Sequence, residues 1–180
     1  SNSCFADEVL SKQLIKNELP NLQQIFLETK YLVTGTNVLS SPISAKAIFF
    51  LLELAKKFEV KIIIDLNWRE VFWEYSSFSP VISKTERVNL IKKFLNHADV
   101  LKLAKEEATL FFEHENPYVI SQKITKKPDV IITDGKNPIA WYINGLQGST
   151  ETPNLEKIVD TTGAGDAFLA GLISKFISSG

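Results

Sequence analysis

The segment Lys61-Ile-Ile-Ile-Asp65 constrains the fold more than any other part of the chain. Three consecutive isoleucines place apolar side chains on both sides of an extended backbone, which suits a strand covered on both faces, as in a parallel sheet flanked by helices. Around it, short β-branched runs alternate with longer amphipathic ones, the pattern of an α/β sheet with helical crossovers. Further strands are expected at Tyr31-Leu-Val-Thr34, Val100-Leu-Lys-Leu103 and Val130-Ile-Ile-Thr133. Ile139 to Ile143 pairs with Leu146 to Thr150 across Asn144-Gly145, a strong hairpin signal. The spacing predicts helices over Ser44 to Phe58, Ser83 to Asn96, Lys105 to Phe112 and Gly163 to Ser178. Trp68 to Pro80, His114 to Pro117 and Ser149 to Leu155 read as loops. With no repeat, low-complexity tract or linker, residues 1–180 read as one domain.

The 180 residues are 44% hydrophobic and 23% charged, enough for one compact core. Twenty Lys and Arg stand against 21 Asp and Glu, with no basic stripe for a phosphate backbone, so nucleic acid is not an expected partner. Apolar stretches such as Ala47 to Leu52 fall well short of the ~20 residues that cross a bilayer. No cleavable leader opens the chain, so no membrane and a cytoplasmic location are expected. One cysteine, Cys4, and two histidines, His97 and His114, make neither a disulfide nor a zinc site. The two histidines read as solvated side chains. Methionine is absent even at position 1, and the chain reads as an excerpt of something longer.

The most informative segment for chemistry is Val159-Asp-Thr-Thr-Gly-Ala-Gly-Asp-Ala-Phe168. Its glycines and alanine let a backbone turn aim several N–H groups at one point, and the helix that follows adds its positive end, which together make an anion site. Asp166 in that first turn sits beside the anion, where a carboxylate costs repulsion unless it works as a base. The segment is neither a P-loop, which requires Gly-Lys-Ser/Thr, nor a dinucleotide fingerprint, which requires a third Gly where Phe168 stands. As a purely structural alternative, Thr162 or Asp160 caps a helix and Asp166 favours its N-terminus.

Asp160-Thr-Thr-Gly-Ala-Gly-Asp-Ala-Phe168 resembles the C-terminal signature of the ribokinase-like carbohydrate kinases, the pfkB family, unbroken over nine residues. The resemblance implies an α/β fold of the ribokinase-like three-layer αβα type with a largely parallel central sheet. It implies that Gly163, Ala164, Gly165 and Asp166 form an anion hole for the phosphoryl group in flight, with Asp166 the catalytic base. Asp65-Leu-Asn67-Trp-Arg69-Glu-Val-Phe-Trp73 resembles a block of fructokinase-like members. It lies just beyond a strand's carboxyl end, where open α/β sheets bind ligands. Arg69 there offers a planar fork for phosphate oxygens, and Asp65 and Asn67 could hold water around Mg²⁺.

Lys102-Leu-Ala104-Lys-Glu106-Glu107 is placed like the family's Asn-x-x-Glu motif. Glu107 matches as the carboxylate that acts through water on the metal, while Ala104 supplies no polar atom. Thr133-Asp-Gly135-Lys-Asn-Pro138 stands where the family has Thr-x-Gly-x-x-Gly beside the nucleotide. Thr133, Gly135 and, in the signature, Thr161 become nucleotide-binding residues, whereas Pro138 removes a backbone donor. Trp68, Trp73 and Trp141 read as packing, with Trp73 the one at a family position.

The similarity spans most of the chain, from Phe5-Ala6-Asp7 to the last helix, and corresponds to the C-terminal two-thirds of such a kinase. The family's N-terminal Gly-Gly signature and lid are not in these residues, so the 180-residue fragment alone is expected to be inactive. The implied activity is transfer of the γ-phosphoryl group of ATP, with Mg²⁺, to a sugar hydroxyl, most readily that of fructose. A homodimer through the lid would be the family's way of pairing protomers. The alternative is a catalytically inactive relative that keeps the fold for binding or assembly, which Ala104 and Pro138 favour and the intact Asp166 turn opposes.

Overall fold

A computed structural model describes residues 10–70, 73, 83–153 and 163–179. The chain starts with two helices, α1 (Lys12–Asn17) and α2 (Leu19–Glu28), and enters strand β1 (Tyr31–Gly35). A 3-10 turn (Thr36–Ser40) and helix α3 (Pro42–Lys57) lead to β2 (Lys61–Asp65). Helix α4 (Lys84–Leu95) precedes β3 (Val100–Ala104), which runs straight into α5 (Lys105–Phe112). After α6 (Pro117–Lys123) come β4 (Asp129–Asp134), β5 (Asn137–Ile143), β6 (Leu146–Thr150) and the last helix, α7 (Ala164–Ser179).

The strands form one sheet in chain order, β1 to β6, with β1 to β4 parallel and the β4-β5-β6 hairpins antiparallel. Because side chains alternate across a strand, the isoleucine run divides between two cores. Ile62 and Ile64, with Leu101, Leu103, Val130 and Ile132, join the larger core together with α3, α4, α5 and α6. Ile63, Val100 and Ile131 face the other way and are covered by Phe168, Leu169, Leu172, Ile173 and Phe176 of α7. Helices therefore lie on both faces of β2, as a strand apolar on both sides requires.

The expected strands are present, each within a few residues of its predicted ends, and 61–65 and 146–150 match at both. Strand β1 continues to Gly35 because parallel pairing runs on as far as Gly35 opposite Asp65. The helices α1, α2 and α6 have no counterpart among the predicted ones and α3 begins two residues before its predicted start; Pro20, Pro42 and Pro117 stand in the first turn of α2, α3 and α6. There the missing N–H costs nothing, so proline can begin a helix. Asn116 completes the start of α6 by accepting the Val119 N–H at 3.1 Å, so the stretch taken as a loop to Pro117 ends as a helix cap. Among the described residues no helix is long and apolar enough to cross a membrane.

The second hairpin turns on Asn144 and Gly145, both at positive φ (50° and 81°), as a two-residue turn between twisted strands demands. On its strands Gly148 lies opposite Trp141. A Cβ there would come within 2.4 Å of the indole, so glycine is what lets the ring lie across the pair.

Candidate active site

The carboxyl ends of β1, β2 and β3 lie side by side, and the loop leaving β2 is held from three directions. The Leu66 N–H donates to the Lys102 carbonyl at 2.9 Å. The Thr36 hydroxyl donates to the Leu66 carbonyl at 2.5 Å, and the Trp68 N–H donates to Glu107 Oε1 at 2.5 Å. Asn67 turns the chain at φ 39°, a conformation asparagine tolerates better than most residues. Its Oδ1 accepts a long, 3.4 Å bond from Arg69 Nε. The Trp68 ring packs on Trp73 and Phe111, with centroids 5.5 and 5.4 Å away. Trp73 is only 4% exposed, which makes it a packing residue rather than a platform for a sugar.

Asp65 and Lys102 are register partners on adjacent parallel strands. Both share the parity of Ile63 and Val100, so both side chains leave the sheet on the α7 face. Lys102 Nζ lies 3.1 Å from Asp65 Oδ1 and 3.1 Å from Oδ2, and both side chains are about 8% exposed. Burial pushes the Asp65 carboxyl above its ordinary range, the Lys102 ammonium pulls it back, and the Asp166 carboxylate adds repulsion.

That repulsion reflects where α7 begins. Gly163 (φ 77°) opens the helix, with the Ala167 N–H bonded to its carbonyl at 2.8 Å, and Asp166 stands in the first turn, exposed. A Cβ added at Gly165 would lie 3.3 Å from Lys102 Nζ, so the bare glycine backbone is what lets the ammonium approach the turn. Asp65, Asn67, Arg69, Lys102, Gly163, Gly165 and Asp166 together line an open cleft of ≈ 230 Å³. Among the described residues larger hollows lie elsewhere, of ≈ 460 Å³ around Lys61, His97 and Lys126 and of ≈ 380 Å³ around Phe112 and Lys123. The first opens at the amino ends of β2 and β3, away from the converging charges.

The cleft thus gathers six of the expected site residues. Ala164 opens α7 next to them. Glu107 sits behind the loop with both oxygens occupied, Oε1 by Trp68 and Oε2 by the Ala104 N–H at 2.7 Å. Burial pushes its carboxyl up, and these two N–H groups partly offset the push. Thr133 and Gly135 lie at the end of β4, outside the cleft; the Thr133 hydroxyl faces the Leu103 carbonyl at 3.5 Å, and Gly135 (φ 54°) makes the turn into β5. Lys105 ties that turn to α5 through Asp134 at 3.1 Å. Thr161, with Asp160 and Thr162, lies outside the described residues.

Lys102 is the residue that motif reading passed over. The available signal was a lysine between leucines in a strand whose other residues are all apolar. The histidines also differ from expectation in one case. His97 is half-buried, its ring 5.7 Å from Phe49 and its Nδ1 3.7 Å from Glu53, rather than solvated.

The donor set suits a phosphate group: a glycine-opened helix start, a buried ammonium and a guanidinium converge on one cleft. Among the described residues no group of three or more His, Cys, Asp and Glu could hold a metal ion by itself.

The family model described as pfkB family carbohydrate kinase matches residues 3–180. An ATP-dependent 6-phosphofructokinase of Thermoanaerobacterium thermosaccharolyticum is 29% identical over 162 residues, 83% of this chain and 47% of that protein. A protein of Arabidopsis thaliana called probable fructokinase-7 is 34% identical over 94 residues, 49% of this chain and 27% of that one. The crystal structure of a fructokinase with bound ATP from Xylella fastidiosa superposes with a TM-score of 0.77 at 22% identity, covering 97% of this chain and 51% of that one. The chain spans half or less of the length of the curated relatives it matches.

Proposed function

The chain belongs to the pfkB family of carbohydrate kinases, with its ribokinase-like fold, and we propose that it serves ATP-dependent phosphoryl transfer to a sugar hydroxyl, with fructose as the acceptor. The observation that carries this reading is the convergence of Asp166, the Gly163 to Gly165 turn, Lys102 and Arg69 on one cleft at the carboxyl ends of the strands. Phosphoryl transfer demands little beyond positioning and charge stabilisation, and these are the groups that supply both.

In this reading the turn at Gly163, Ala164 and Gly165 presents N–H groups to the transferring phosphoryl group. Arg69, steadied by Asn67, faces the same cleft with its guanidinium. Asp166 accepts the hydroxyl proton as the sugar oxygen bonds to phosphorus and the bond to the nucleotide's bridging oxygen breaks. Thr133 and Gly135, with Thr161, border the nucleotide. Magnesium, when bound, neutralises the nucleotide phosphates. Glu107, whose oxygens hold the Trp68 and Ala104 N–H groups, would act on it through water, as in the family it resembles. Fructose is favoured by the Asp65 to Trp73 block and by the fructokinases among the relatives.

A panel of sugars assayed for ADP release with ATP and Mg²⁺, on the natural full-length protein, tests the reading. Release that depends on fructose is expected. Release with another sugar alone would move the acceptor, and none with any sugar would overturn the activity.

A further inference from the structure

We propose that Lys102 is the cation that holds the phosphoryl group in transit, with Asp65 as the arm that keeps its ammonium in place. This rests on the kinase reading above and adds a group that no motif assigns.

The first observation is the burial. Lysine is almost never buried without a partner, and a buried ion pair in the middle of a sheet contributes little to stability against an apolar pair of similar size. Every other side chain that β3 sends to the α7 face at this level is apolar, as Val100 shows, and Ile63 and Ile131 flank it. The pair stands where the sheet meets the glycine turn.

The second is the donor count. An ammonium has three N–H bonds to give. Two are used on Asp65 Oδ1 and Oδ2, both at 3.1 Å, and no third acceptor for Lys102 is found among the described residues. Nζ is also close enough to Gly165 that a single Cβ would touch it. The ammonium can therefore keep both bonds to Asp65 and still donate to an oxygen seated in the turn.

The third is the charge balance. Among the described residues that line the cleft, without Lys102 a polyanion would meet two carboxylates, Asp65 and Asp166, against one cation, Arg69. With it the charges cancel before the ligand arrives, and the glycine turn and helix start tip the balance toward an anion. During transfer Lys102 neither gives nor takes a proton. The proton goes to Asp166, the electron pair of the broken bond stays on the nucleotide oxygen, and Lys102 offsets charge on the oxygens of the moving group.

The test uses the natural full-length protein and reads binding as well as turnover. Kd values for ADP and for ATP are measured by calorimetry without sugar, and kcat with the best sugar of the panel. Lys102→Met is expected to shift the ratio of the two Kd values against ATP by about tenfold or more, with ADP affinity held within a few fold, and to lower kcat about 10²-fold. Lys102→Arg should recover part of both. Because Lys102→Met leaves Asp65 bare and could unfold the protein, Asp65→Asn and the double variant are measured beside it. Asp65→Asn should keep much of the ATP preference, and the double variant, free of the bare charge, should fold and lack it. A double variant with the wild-type Kd ratio would show that Lys102 only neutralises Asp65, and so would a folded Lys102→Met protein with unchanged ratio and kcat. Either result overturns the proposal. Wild-type protein that binds no ATP is a different result, which overturns the kinase reading itself.

Discussion

The Glu107 carboxylate, on the first turn of α5, reaches across 39 residues of sequence to accept the Trp68 N–H at 2.5 Å. Its other oxygen takes the Ala104 N–H at 2.7 Å, so one side chain joins the end of β3 to the loop that carries Asn67 and Arg69. Glu107→Gln puts an NH₂ group against one of these backbone donors. One bond is lost and a largely buried donor is left facing another, at a cost of about 1–3 kcal/mol. The expected outcome is a lower denaturant midpoint together with changed Trp68 fluorescence and a higher Mg²⁺ requirement in the full-length enzyme. Unchanged unfolding and Mg²⁺ titration curves would reduce Glu107 to a favourable charge at a helix start.

Asp166 is exposed and makes none of the side-chain hydrogen bonds described above, so its replacement leaves the fold intact. Asp166→Asn should lower kcat by about 10²–10⁴-fold, the usual worth of a general base, with ATP affinity within a few fold because the backbone turn is untouched. Wild-type turnover in this variant would leave Asp166 as a helix-start carboxylate only.

The two glycines of the turn should respond differently to alanine. At Gly163, φ is 77°, and a Cβ meets nothing within 4 Å but strains the backbone, so Gly163→Ala should cost about 1 kcal/mol of stability. At Gly165 the backbone is ordinary and the Cβ meets Lys102 Nζ at 3.3 Å. Gly165→Ala should therefore unfold at the wild-type temperature while binding ATP more weakly. Paired thermal melts and ATP titrations check both, and the same response from both variants would contradict the geometry.

His97 provides a pH signature far from the cleft. Burial pushes its imidazole below its ordinary 6.5, Glu53 pulls it up, and Lys126, Lys56 and Lys93 push it further down. A base with a lowered pKa in the folded state binds fewer protons folded than unfolded. Its contribution to stability is therefore present above pH 6.5 and lost as pH falls through the folded value. Chemical unfolding between pH 7.5 and 5.5 should show a decline in wild type that is shallower in His97→Phe, which keeps the ring contact with Phe49. Parallel declines would assign the pH dependence to other groups.

The sheet was legible because its signal is local: Ile62, Ile63 and Ile64 announce a two-faced strand, and the helix periodicity on either side requires crossovers. The proline starts were hidden, since Pro20, Pro42 and Pro117 carry the same letter whether they stop a helix or start one. The glycine turn and Asp166 were visible as a contiguous motif. Lys102 was not, because its meaning comes from Asp65, on the neighbouring strand 37 residues away. Parity and parallel register do bring the two together, but only once β2 and β3 are known to be adjacent. The second role of Glu107 was hidden in the same way: its place in a first helical turn was readable, its grip on Trp68 was not.

In the six-stranded sheet each strand lies beside its predecessor in the chain. A growing polypeptide can therefore lay the sheet down in order of synthesis, each new strand finding its neighbour already waiting. Helix α7 breaks this rule, for it must travel back over the sheet to bring Phe176 against Tyr31, the first residue of the first strand. The proposed base and the glycine turn ride on that returning helix. Chemistry is thus withheld until the far end of this segment has been made and has docked, so a chain interrupted before Gly163 carries the buried cation and its aspartate without the groups that would act beside them.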